Sequence, residues 1–255
     1  MDSSVKSALR AVQVLELLAR EPGGMLGLNE ICATLALPKS SGHALLQTLT
    51  GASWVEHSPD GGGYSLGVKA WEVGSQYSRG ASLAEVARPF MQAVRDDLDE
   101  TVQLAILDGV ENVYVSKVEA VNQRLVLVSN VGARLPAWAT GLGKAMLAEL
   151  DPSDLDERFA DVEFTSFTPA TISSLPQLKD AITETKERGY ALDIGEYTEG
   201  VVCVAVPIKG GGGEVLAAIS VSIPGVRTTP ELEERIAGLL QNAATEIEAR
   251  LPTSG

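Results

Sequence analysis

The sequence predicts an α+β protein in two parts, an N-terminal winged helix-turn-helix and a larger C-terminal domain built on an antiparallel sheet. Three observations carry this. The first 66 residues hold three helical apolar periodicities, followed by two short extended runs around a Gly-rich turn. From about residue 101 the pattern turns β-rich, with Asp108-Gly109 and Gly210–Gly213 as hairpin turns. The extended runs follow one another as hairpins with helices alongside, which argues against a parallel sheet of βαβ units.

Each element has its own signal. Residues 4–20 form an amphipathic helix in which Val5, Leu9, Val12, Leu15 and Leu18 recur at helical spacing, and Glu21-Pro22-Gly23-Gly24 stops it. A second helix follows Asn29 as its cap, with Ile31, Leu35 and Leu37 as its apolar side. Pro38 suits the first position of a third helix running to about Gly51. The wing is Trp54–His57 and Tyr64–Leu66, joined by Ser58-Pro59-Asp60-Gly61-Gly62-Gly63. Residues 67–80 continue as helix into a second one over about 82–99, with no long linker between. Strands are expected at Val102–Leu107, Asn112–Val118, Leu125–Val128, Tyr190–Ile194, Val201–Ile208 and Val215–Ile223. Helices are expected near 141–150 and 175–188, and a last one runs from a Thr229 cap to about Arg250.

Composition narrows the function. With 255 residues, 45% hydrophobic and 21% charged, the chain is an ordinary folded one. No apolar stretch is long enough to span a bilayer, and the first residues lack a secretory pattern, so a cytoplasmic protein without membrane association is expected. Cys32 and Cys203 stand alone, which excludes a disulfide scaffold or a structural zinc site. No cofactor or metal is called for. The net charge of −14 means that DNA binding has to be argued from local geometry rather than from overall attraction.

That local geometry lies in Lys39–Thr50. Gly42, Leu45, Leu46 and Leu49 form a core stripe, while Ser40, His43, Ala44 and Gln47 repeat the spacing one face over. The second face is short, polar and nearly uncharged, as a recognition helix needs in order to reach base edges. Gln47 can pair with adenine, Ser40 serves either partner, and the Ala44 methyl can meet that of thymine. Lys39 and the start of the helix suit a phosphate. The same pattern also fits the solvated face of a small helical bundle, and pattern alone does not decide between them.

In the C-terminal part, alternation puts Ser220 and Ser222 on one face of their strand, with Cys203 and Ala205 a similar pair one hairpin away and Asp193 on the strand before. Small and polar side chains facing inward leave room and hydrogen-bonding capacity, although an outward serine face exposed to water has the same alternation. Leu125, Leu127, Trp138 and Leu142 are candidates for an apolar wall, although such residues are more often plain core. Enzyme readings are weak. A phosphate loop at Gly141-Leu142-Gly143-Lys144 fails because Trp138 replaces its first glycine and Ala145 its Ser/Thr. The two histidines, His43 and His57, both lie in the N-terminal part, away from Cys203 and the C-terminal serines, so no catalytic residue is assigned.

Several motifs in order resemble the IclR family of bacterial transcriptional regulators. Val5–Leu15 is similar to its opening helix, as are Leu35-Ala36-Leu37-Pro38-Lys39-Ser40-Ser41, Leu45–Leu49 and the wing ending Tyr64-Ser65-Leu66-Gly67. Thr140–Ala148 resembles the family's GK-A-LA helix, and Gly189–Asp193 with Glu196 and Gly200–Pro207 its effector-domain signature. The resemblance implies a winged helix-turn-helix over about 1–66, a linker helix over 67–81 and a GAF-like effector domain over 82–255. It implies DNA contact by Lys39, Ser40, Ser41, His43 and Gln47. It implies an effector site at Asp193, Cys203, Ser220 and Ser222, to which the residue pattern adds the amides near Gly141 and an apolar wall of Leu125, Leu127 and Leu142. The expected partners are double-stranded operator DNA, a small organic and carboxylic acid, and further copies of the chain as homodimer or homotetramer.

One departure stands out. The family usually carries Arg where this chain has Ala44, and residues 1–70 hold five basic against six acidic residues. Affinity per subunit is therefore expected to be low, with assembly summing the contacts. The same two features keep open an alternative, a metabolite-sensing module that has lost effective DNA binding and acts through protein contacts. A small-molecule hydrolase ranks third.

Overall fold

The computed structural model describes residues 5–21, 23–76, 78–122 and 130–251, with backbone alone over 78–82. The chain divides into two compact units, Met1–Ser78 and Arg79–Gly255.

The first unit contains helices α1 (Lys6–Arg20), α2 (Leu28–Thr34), α3 (Lys39–Gly51) and α4 (Val68–Gly74) and strands β1 (Val55–His57) and β2 (Tyr64–Leu66). The strands pair antiparallel as the wing, with Val55 opposite Leu66. Two expectations need correction. Asn29 does not cap α2: Gly27 holds that position, and its N–H donates to Glu30 Oε2 at 2.8 Å, so the acidic side chain reaching back closes the turn instead. Pro38 sits at the cap of α3, and the helix begins at Lys39. The apolar face of α1 also differs. Val14 and Leu18 enter the core with Ile31, Leu46, Leu49 and Val55, whereas Val5, Leu9 and Val12 are exposed. A helix apolar on two sides offers two stripes, and packing against α2 and α3 selects one. Gly42 lets α2 and α3 approach closely, since a Cβ there would collide with Cys32 Sγ.

The second unit is a six-stranded antiparallel sheet between helices. Its elements are α5 (Ser78–Leu98), β3 (Thr101–Asp108), β4 (Glu111–Val118), β5 (Arg134–Pro136), α6 (Gly141–Leu147), α7 (Pro152–Phe159), α8 (Leu175–Arg188), β6 (Ala191–Ile194), β7 (Val201–Lys209), β8 (Val215–Pro224) and α9 (Pro230–Glu248). The strand order is β5-β4-β3-β8-β7-β6, and every neighbouring pair is antiparallel. The strand expected at Leu125–Val128 lies outside the described residues, and β5 and α7 were not expected.

Alternation along β7 and β8 sorts the layers. Val202, Val204, Val206 and Ile208 point to one face with Ile219, Val221 and Ile223, and there they meet Met91 of α5 and Ile236, Leu240 and Ile247 of α9. The opposite face carries Ala105, Ala191, Ala205 and Ala218, and α6 packs on it through Leu142, Ala145 and Met146. These small side chains let α6 approach the sheet. A Cβ at Gly141 would lie 3.3 Å from the Cys203 carbonyl oxygen, and one at Gly143 would collide with the Ala137 backbone.

Candidate functional site

Where α6 begins, the small-residue face leaves a cavity of about 40 Å³ lined by Gln103, Tyr114, Leu135, Thr140, Gly141, Leu142, Asp193, Tyr197, Thr198, Val201, Cys203, Ser220 and Ser222. Strand register explains the grouping. Gln103 lies opposite Ser220, Ser222 opposite Cys203, and Cys203 opposite Asp193, so four strands deliver polar side chains to one spot. Of the residues the sequence singled out, Gly141, Leu142, Asp193, Cys203, Ser220 and Ser222 come together here. Leu125 and Leu127 lie outside the described residues. Trp138 does not line the cavity: its ring sits 6.2 Å from Phe159 and 5.4 Å from Phe164, in the core beneath α7.

The polar groups are unequally satisfied. Ser222 Oγ donates to Gln103 Oε1 at 3.1 Å and lies 3.2 Å from Cys203 Sγ. Ser220 is 1% exposed, and its hydroxyl has no partner among the described residues. An unpaired buried hydroxyl costs free energy unless something arrives to meet it. Thr140 caps α6, accepting from the Gly143 N–H at 3.1 Å and donating to Asn112 Oδ1 at 2.7 Å. The amides of Gly141 and Leu142, in the first turn of α6, have no acceptor within the helix.

Behind the cavity lies a buried charge cluster. Lys144, on α6, pairs with Glu196, whose second carboxylate oxygen has no partner among the described residues. The Glu196 N–H donates to Asp193 Oδ1 at 2.8 Å. Thr171 donates to the Glu196 carbonyl at 2.6 Å, fixing the loop after β6. Burial pushes the Asp193 carboxyl up to about 7, and the Glu196 charge adds to this while Lys144 opposes it. Burial also raises the Tyr114 phenol and the Cys203 thiol, so neither ionises near neutrality. Cys203 is therefore an inert thiol rather than a nucleophile.

Sequence reasoning missed Gln103, Tyr114, Thr140 and the Lys144–Glu196 pair. Gln103 had a readable signal, a lone amide between Val102 and Leu104 in an apolar strand. Lys144 and Glu196 are 52 residues apart, and only the packing of α6 on the sheet joins them.

In the first unit, Lys39, Ser40, Ser41, His43, Ala44 and Gln47 are all exposed along α3, while Gly42, Leu46 and Leu49 are buried. The polar face is thus free to meet a partner. Among the described residues, no group of His, Cys, Asp or Glu is placed to hold a metal, and no helix is long and apolar enough to cross a membrane.

Comparison with known proteins gives a consistent result. The family model described as "Bacterial transcriptional regulator IclR C-terminal" matches residues 75–249, and that of the IclR helix-turn-helix domain matches residues 7–59. The chain is 36% identical over 218 residues to the HTH-type transcriptional regulator XynR of Escherichia coli (strain K12), with 86% of each chain covered. It is 31% identical over 245 residues to the acetate operon repressor of Salmonella typhimurium, covering 95% of this chain and 89% of that one. Among solved structures, Thermotoga maritima IclR is similar with a TM-score of 0.79 and 29% identity, covering 97% and 99% of the two chains. An IclR homolog of Microbacterium hydrocarbonoxydans, complexed with 4-hydroxybenzoate, has a TM-score of 0.83 and 26% identity, covering 95% and 98%.

Proposed function

Because the chain belongs to the IclR family of bacterial transcriptional regulators, and is a DNA-binding regulator with a C-terminal effector domain rather than an enzyme, we propose that the cavity at the start of α6 receives a small organic acid. The observation that carries this reading is the buried, unpartnered Ser220 hydroxyl in a cavity shared with Gln103, Asp193 and Ser222. A carboxylate accepts from Ser220 and the amides of Gly141 and Leu142, while Ser222, whose proton goes to Gln103, joins only by releasing that bond. Asp193, half-protonated near neutrality, donates to an acid's second oxygen in its neutral form and accepts from a hydroxyl in its ionised form. A hydroxy-, keto- or aromatic acid meets both demands, and the 4-hydroxybenzoate bound by the Microbacterium homolog is of that chemical class.

In the first unit, α3 reads operator DNA through Lys39, Ser40, Ser41, His43 and Gln47, in a cytoplasmic homodimer or homotetramer. A DNA-binding part over about 1–66, a linker helix over 67–81 and a GAF-like effector part over 82–255 complete this reading. The alternative of a sensing module acting through protein contacts alone draws no support from the relatives, which are DNA-binding regulators. A thermal-shift screen of small organic acids tests the pocket. A hit raises the melting temperature of the wild type and fails to do so in a Ser220→Ala/Ser222→Ala variant, because a ligand bound only by the folded state stabilises it. Equal shifts in both proteins would place the ligand elsewhere.

A further inference from the structure

DNA recognition poses an electrostatic problem for this chain. Affinity for a duplex comes largely from cations that neutralise phosphates, yet the recognition face of α3 offers only Lys39. Residues 1–70 contain four other basic side chains: Lys6, Arg10, Arg20 and Lys69. Lys69 is taken, pairing with Glu72 at 2.8 Å. Arg20 closes the far end of α1.

Lys6 and Arg10 differ from these. They lie one turn apart on α1, and neither forms an ion pair with any described residue. They line an open cleft of about 410 Å³, together with Ser7 of α1 and with Ser41, Ala44 and Thr48 of α3. Ala44 belongs to the line of Ser40, Ala44 and Gln47 along the helix, and Ser41 and Thr48 flank that line, so the cleft adjoins the recognition face rather than lying behind it. Thr48 Oγ1 is turned back to the Ala44 carbonyl at 2.9 Å. The small Ala44 side chain keeps the space between the two helices open.

We propose that Lys6 and Arg10, with the Ser41 hydroxyl, form a seat for a DNA backbone phosphate beside α3, so that α1 supplies the charge that α3 lacks. The seat rests on the DNA-binding reading above. It positions the duplex and carries no base preference, since its donors face the backbone and Gln47 and Ser40 face the bases.

The test measures binding of the full-length protein to its operator duplex, found by genomic footprinting, and to a scrambled duplex, across a salt series. Each phosphate contact contributes about 0.9 to the slope of log affinity against log salt. In Lys6→Ala/Arg10→Ala the slope falls by about 0.9 per subunit, and affinity for both duplexes weakens by a similar factor. The loss of affinity between about 50 and about 200 mM salt then shrinks by about threefold to fourfold per subunit. Arg20→Ala leaves the slope unchanged. Ala44→Arg, made in the double variant, returns a cation to the same cleft and restores about one contact's worth of slope. An unchanged slope in the double variant overturns the seat, as does a loss confined to the operator duplex. Wild-type protein that binds neither duplex overturns the DNA-binding reading itself, a different result from a wild type that binds with an unaltered variant. A double variant with altered far-UV circular dichroism shifts the decision to Ala44→Arg in the wild type, where a slope that fails to steepen refutes the placement.

Discussion

Replacing Asp193 by Asn should flatten the pH dependence of stability, and the structure sets the size of the effect. The carboxyl ionises near 3.8 in the unfolded chain and at about 7 in the folded one. At about 1.4 kcal/mol for each tenfold step, ionising it in place costs about 4 kcal/mol. The folded state holds its proton more tightly than the unfolded state does. Stability from the neutral carboxyl is therefore fully present below pH 3.8 and is lost as pH rises through about 7. Integrated between about pH 5 and about pH 8, the loss is about 2.5 kcal/mol. The assay is urea unfolding of wild type and Asp193→Asn at several pH values, taking the difference between the two so that other titrating groups cancel. Wild type should lose about 2.5 kcal/mol more than the variant over that range. A difference below about 0.5 kcal/mol would refute the argument, because the carboxyl would then ionise at the same pH in both states.

Three further substitutions probe the same region. Gly143→Ala drives a methyl into the Ala137 backbone, so it should cost about 1–3 kcal/mol, shift the start of α6 and lower both melting temperature and acid affinity. An unaltered melting temperature would show that α6 does not lie so close. Lys144→Met leaves the Glu196 carboxylate buried without its countercharge, a cost of about 3–5 kcal/mol. It also removes the cation that holds Asp193 down, so the midpoint of Asp193, followed by carboxyl NMR, should rise. Ser220→Ala should change the stability of the ligand-free protein by less than about 1 kcal/mol, since its hydroxyl has no partner to lose, while weakening acid binding. Destabilisation well beyond that in urea unfolding would reveal a partner and remove the main support for the pocket.

How much of this was legible in the sequence depends on whether the cause was local. Hairpins with glycine turns and the Thr229 cap have short-range signals, and the elements they mark appear as expected. The grouping of Ser220, Ser222, Cys203 and Asp193 follows from alternation together with antiparallel register, so it too could be read. Elements with weak local signals were missed. The strand β5 is only Arg134–Pro136, and Leu135 pairs with Asn112 through tertiary contact rather than through any pattern of its own. On α1 the opposite error arose. Of the stripe through Val5, Leu9, Val12, Leu15 and Leu18, Leu18 enters the core and Leu15 packs against it as expected, but Val14 takes the place of the first three, a choice that only docking of α2 and α3 makes. Between the two readings open to Trp138, cavity wall and core, the short helical turn Ala137–Ala139 selects core by pointing it to Phe159 and Phe164.

The dimensions of the cavity add a constraint on how such a site works. At about 40 Å³ it holds one or two waters, well below the roughly 300 Å³ at which ligand pockets begin. An aromatic acid therefore fits only if the wall gives way. The sheet side is fixed by the ladder of β3, β8 and β7 and by the apolar layer under α5 and α9. The other side consists of Leu142 on α6 and Tyr197 and Thr198 on the loop after β6, and Lys144 and Glu196 tie these two elements together. On the proposed reading, opening moves the elements that carry the buried ion pair, while the strands that carry Ser220 and Ser222 stay in place. Part of the ligand's interaction energy is spent on opening, so measured affinity understates the contacts made, by the ratio of open to closed populations. A substitution that favours the open form without touching a polar contact should tighten binding. Leu142→Ala is such a change: it lowers the melting temperature of the ligand-free protein by removing a buried side chain, yet should raise affinity for a bulky aromatic acid in calorimetry. Weaker binding by Leu142→Ala would mean that the leucine contacts the ligand more than it obstructs it, and that the ligand-free cavity needs no opening at this wall.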